Sequence, residues 1–199
     1  MSSFRNEPFL WIHLSGIAVA PIALLIVWLS LAIATPITPY WLELVILGMI
    51  GIIPILLMQW QKPFEIFSLL VVSLRPEVLT LEQRKILSLF KRPKQQFLAL
   101  LTALLMAGKL YGIYYFAPLA ALPVVNFPQV RLLALFVAAI AFLVANLFVQ
   151  VPVSVLGILF TQNKIYEETT PINIEDIPKT LTVPGLRVRK IFFIPELSA

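Results

Sequence analysis

The chain has 199 residues, a net charge of +5, no cysteine, and only 13% charged residues against 60% hydrophobic ones. A mean hydropathy of +0.94 lies outside the range of soluble globular domains, about a quarter of whose residues are charged. Soluble folds, disulfides, thiolate metal sites and cysteine nucleophiles are excluded. The basic residues flank long apolar blocks, which points to membrane topology and away from nucleic acid.

The first apolar block runs roughly from Phe9 to Ala34. It is longer than the roughly 7–15 residues of a signal-peptide core, so it predicts a retained transmembrane helix despite the small residues at Ala32-Ile33-Ala34. His13 lies near its start. The second block, about Tyr40 to Trp60, carries Glu43 near one end and Gln59 near the other. Both exceed or match the ~20 apolar residues that a spanning helix needs. Pro21 and Pro54 are expected to kink their helices, with the freed backbone groups satisfied inside the bundle.

Between residues 61 and 95 the composition changes. Pro63–Leu74 is apolar but only 12 residues long, too short to span, and reads as an interfacial or re-entrant segment. Pro76 then breaks the chain. Thr80 with Gln83 three residues on is a capping box that opens a helix, and Pro93 ends it near Lys91 or Arg92. On a helical wheel Ile86, Leu87, Leu89 and Phe90 share one side, and Arg84, Lys85, Ser88, Lys91 and Arg92 the other. The reading is a basic amphipathic helix whose apolar face lies in the headgroup boundary. Arg84, Lys85, Lys91, Arg92 and Lys94 are then candidates for docking a partner or anionic lipid.

A third span is expected over about Gln96–Phe116 and a fourth over about Val130–Phe160, kinked at Pro152. Lys109 in the third is expected to pair with Glu43 across the bundle. Asn146 and Gln150, one turn apart in the fourth, are expected to join Gln59 and His13 in a hydrogen-bonded cluster. The segment from Gln61 to Lys94 holds seven Lys/Arg and the tail after Phe160 five, whereas the loops Thr35–Pro39 and Ala117–Gln129 hold none. Both termini and the central loop are therefore expected in the cytoplasm. Arg131 is the one cation that breaks this pattern. Trp11, Tyr40, Trp41, Trp60, Tyr111, Tyr114 and Tyr115 lie near span ends, as interfacial belts require.

The expected architecture is all-α and polytopic. Residues 1–160 form a four-helix transmembrane domain with a cytoplasmic loop over 61–95, and residues 161–199 a cytoplasmic tail. In that tail Pro184-Gly185 suits a type II turn joining Leu181–Val183 to Leu186–Val188 in a small hairpin, and Ile191–Ile194 is an apolar run. Neither a phosphate loop, HExxH nor GxSxG occurs, and the chain has one histidine, so a non-enzymatic role is expected. His13 has a second reading as an axial ligand of a tetrapyrrole metal, as in chlorophyll; chlorophyll or carotenoid is the cofactor class that a pigment-binding role would bring.

The segments SFRNEPFLWIHLSGIA, GIIPILLMQWQKPFEIFSLL, LTLEQRKILSLFKRP, ANLFVQVPVSVL and PGLRV resemble, in this order, a cyanobacterial family described as low-complexity tail membrane proteins. The resemblance implies an oxygenic phototroph and its thylakoid or plasma membrane, but no catalytic residues. That family is named for a biased C-terminal extension, whereas this chain stops at Ala199. The function expected is that of an accessory or assembly protein of a photosynthetic membrane complex, such as a photosystem. A small transporter or channel using Glu43 and Lys109, or a lipid-organising protein, are the alternatives.

Overall fold

The computed structural model describes residues 4–69 and 71–191. Among them, four helices are long and apolar enough to cross a membrane: α1 (Pro8–Ala32), α2 (Tyr40–Gln61), α4 (Pro93–Tyr115) and α5 (Arg131–Leu159). Only 22% of the most apolar stretch of α2 is buried within the protein, so most of its hydrophobic surface requires an apolar solvent. The helices alternate in direction. The starts of α1 and α4 and the ends of α2 and α5 therefore meet at one end of the bundle, called here the cap end. The opposite ends meet at the far end.

The bundle interior is built from Ala23, Val27, Leu47, Met106, Leu110, Ala138, Phe142 and Ala145. Small residues on α5 let its neighbours approach closely. Gly51 of α2 makes the complementary room for a large α5 side chain: a Cβ there would lie 2.3 Å from the Phe142 ring. Pro54 removes the donor for the Ile50 carbonyl inside α2, and beside that gap the Asn146 side-chain amide donates to the Gly51 carbonyl at 2.9 Å.

A second core occupies the cap end. It joins Phe9 and Leu10 of α1, Val155 and Ile158 of α5, Ile66, Phe67 and Leu79 of the central loop, and Ile177 and Leu181 of the tail. Helix α3 (Leu81–Phe90) has the expected capping box, with Thr80 accepting from the Gln83 amide. Its apolar residues Ile86, Leu87, Leu89 and Phe90 are at most 2% exposed. The apolar face thus packs into protein and not into the headgroup boundary, because the tail and the end of α5 already cover it.

The Pro63–Leu74 segment is neither re-entrant nor a free interfacial stretch. It holds β1 (Ser68–Leu69) and β2 (Val72–Leu74), which pair antiparallel with Ser68 opposite Ser73. The expected tail hairpin also does not form. Strand β3 (Leu186–Val188) instead pairs parallel with β2, in the register Val72–Leu186, Ser73–Arg187 and Leu74–Val188. Gly185 has φ +71, and a Cβ on it would lie 2.0 Å from the Val71 carbonyl oxygen, which accepts from the Leu186 amide at 2.8 Å. The turn residue was legible; its strand partner was not. Ile191 packs against the cap core, and Phe192–Ile194 of the expected apolar run lie outside the described residues.

Candidate functional site

The cap is the candidate interaction surface. Chain segments far apart in sequence close it. Thr182 donates its amide to the Pro63 carbonyl at 2.9 Å and accepts from the Glu65 amide at 3.0 Å, and its hydroxyl donates to the Lys62 carbonyl at 2.6 Å. At the N-terminus the Arg5 guanidinium donates to the Leu159 carbonyl at 2.9 Å, an orphan carbonyl at the end of α5, and to the Thr161 carbonyl just beyond it at 2.6 Å. Phe4 stacks on Tyr166 at 4.3 Å between ring centroids. Helix α6 (Asn163–Glu167) thereby seats against the start of the chain.

This assembly divides the basic residues. Arg84 donates to the Ile172 carbonyl at 3.3 Å, and Lys85 to the Glu167 carbonyl at 3.2 Å with its ammonium 5.6 Å from the Tyr166 ring centre. Lys94 donates to the Gly157 carbonyl at 3.1 Å, near the end of α5. Three of the five predicted docking cations therefore hold the cap together. Lys91 and Arg92 remain exposed. They line a shallow cavity of about 490 Å³ between the end of α3 and the tail, with Ser88, Glu168, Thr170 and Asp176.

Two cap carboxyls are withdrawn from water, Glu65 fully and Glu7 in part. Glu65 is 1% exposed; the Phe67 amide donates to one oxygen at 3.0 Å, while the other lacks a partner. Burial pushes its carboxyl up to about 7, against the opposing pull of the Phe67 amide and the Arg187 charge. Burial also raises Glu7, which accepts from the Gln83 side chain at 3.4 Å.

The far end holds the second polar constellation. Glu43 pairs with Arg131 and not with Lys109. The Arg131 guanidinium also donates to the Leu31 carbonyl at 2.8 Å and the Ile33 carbonyl at 2.9 Å. The Tyr114 hydroxyl donates to Glu43 at 2.7 Å. One arginine thus joins all four spanning helices and satisfies the carbonyls that end α1. Lys109 lies on the membrane-facing side of α4, off the buried stripe Ala99, Ala103, Met106 and Leu110, and cannot reach Glu43's buried face. The sequence marked Arg131 only as the cation that broke the charge pattern, and that anomaly was its signal.

The expected four-residue cluster forms only in part. Gln150 donates to Asn146 at 3.4 Å. The Gln59 side-chain nitrogen is buried without a partner. His13 Nδ1 contacts the Phe9 carbonyl of its own helix at 2.9 Å, and its ring lies 5.6 Å from that of Phe64. Helix rotation decides this: His13 turns toward the loop that follows α2, away from Asn146. Among the described residues no group of three His, Asp or Glu side chains could hold a metal ion.

A family model described as low-complexity tail membrane protein-like matches residues 6–193. No curated protein matches the chain. No solved structure matches it either.

Proposed function

The chain belongs to the low-complexity tail membrane protein-like family, and we propose that it is a non-enzymatic accessory or assembly subunit of a larger membrane complex. The specific complex proposed is photosynthetic, a photosystem or its assembly intermediate, in the thylakoid or plasma membrane. The cap faces the cytoplasm in this reading, since its loop and tail carry most of the Lys/Arg, and Lys91 and Arg92 dock an acidic partner face. The observation that carries it is the division of labour in the cap. Arg84, Lys85 and Lys94 close it, and two exposed cations remain over a cavity.

Affinity purification of the tagged full chain in mild detergent tests the reading, with the Lys91→Glu/Arg92→Glu variant beside it. The expected result is co-purification of chlorophyll-binding subunits by the wild type and their loss from the variant, with insertion unchanged. Equal recovery with both chains, or absence of any photosynthetic subunit, contradicts it. An absorption spectrum of the purified protein decides at the same time whether chlorophyll or carotenoid accompanies the chain.

A further inference from the structure

A groove of about 760 Å³ opens on the membrane-facing side of α1 and α4 near the far end, walled by Trp28, Leu105, Ile113 and Phe116, with Lys109 as its one charged residue. Lys109 is exposed, with no hydrogen bond or ion pair among the described residues. It sits six residues before the end of α4, about 9 Å along the axis at 1.5 Å per residue, within the hydrocarbon half-thickness of about 15 Å. A charge at that depth is stabilised by snorkelling its ammonium toward the interface or, more fully, by a counter-charge beside it.

The floor of the groove narrows the choice of occupant. Gly108 and Gly112 are one turn apart, and a Cβ on either would meet nothing within 4 Å. By contrast, a Cβ on Gly51 or Gly157 would lie 2.3 Å or 2.6 Å from a neighbouring side chain. Packing within this chain requires those two glycines and does not require Gly108 or Gly112, although glycine is a poor helix former. An acyl chain conforms to any apolar surface. A helix backbone gains close approach from such a pair. A second copy supplies no counter-charge, because Glu43, the one acid in the four spanning helices, is 2% exposed and bound to Arg131.

We propose that this groove seats a transmembrane helix of a different protein, whose Asp or Glu pairs with Lys109 while Gly108 and Gly112 set the close approach. The test places a photo-crosslinking residue at Leu105 of the full chain in its native membrane, with Phe136 of α5 as a reference position outside the groove. The expected adduct, at Leu105 and not at Phe136, is sequenced as a membrane-spanning segment of one other protein carrying a carboxylate. Lys109→Met lowers its yield about three- to thirty-fold, the range for one interhelical polar contact. Lys109→Glu abolishes it, and an acid-to-Lys change in the partner restores it. Adducts with lipid only, with a second copy, or with a segment lacking a carboxylate overturn the proposal. So does a yield unchanged by Lys109→Met.

Discussion

Arg131 illustrates how a single buried residue can organise a bundle. Its pairing with Glu43 and the α1 carbonyls means that removing one partner strands a charge in an apolar interior. Arg131→Met should therefore cost about 3–5 kcal/mol, while Glu43→Met/Arg131→Met together should cost much less. Thermal unfolding of both in detergent checks this, and additive losses would refute it. Glu65 gives a pH-dependent prediction. Its folded value near 7 lies above the ordinary 4.5, so the folded cap keeps a proton that the unfolded chain has released. Stability then falls as pH rises from about 4.5 to 7 and is level above that. Glu65→Gln should reduce this slope, to which the raised Glu7 also contributes, read as tail proteolysis that quickens less between pH 5 and pH 8 than in the wild type. At this scale the sequence revealed which intramembrane groups were polar but not which faced each other. Depth along an apolar helix is readable from residue count, whereas rotation is not when nearly every face is apolar. In α4 the small and polar positions Ala99, Thr102 and Ala103 mark the buried stripe, and Lys109 falls outside it.

Helices and strands differed in how well local pattern foretold them. The capping box at Thr80 depends on four consecutive residues and formed as expected, with the Thr80 amide also donating to the Gln83 side chain at 3.1 Å. Thr80→Ala should lower the stability of the cap by about 1 kcal/mol, measured as hydrogen exchange in α3. The β1–β2 hairpin and its pairing with β3 were not foreseen. Pro63–Leu74 was judged by length alone, and the partner of β2 lies more than 100 residues away, where periodicity carries no information. Gly185 offers a sharp check on that pairing. Gly185→Val puts a β-branched side chain at positive φ and against the Val71 carbonyl. It should release β3, seen as rapid proteolysis near residues 184–190 with the four spanning helices intact.

At the scale of the whole molecule, hydropathy, interruptions and charge were enough to place four spans and to bring the segment before the first span, the central loop and the described part of the tail to one end. Bilayer thickness and backbone satisfaction dictate those features directly. What the sequence could not convey was that the loop, tail and N-terminus share one core, since each segment alone buries too little to declare itself. That shared core turns the amphipathic helix from a membrane-surface element into the centre of a folded cap, and it leaves Lys91 and Arg92 exposed. The chain lacks native cysteine, so a designed pair reports the cap cleanly. Ser88 donates to the Thr170 carbonyl at 2.8 Å, so Ser88→Cys/Thr170→Cys in intact membranes should be joined within one chain by a short bis-maleimide or by oxidation. The two thiols remaining separately reactive toward maleimide, with Ser88→Cys shielded by lipid instead of by the tail, would contradict the cap.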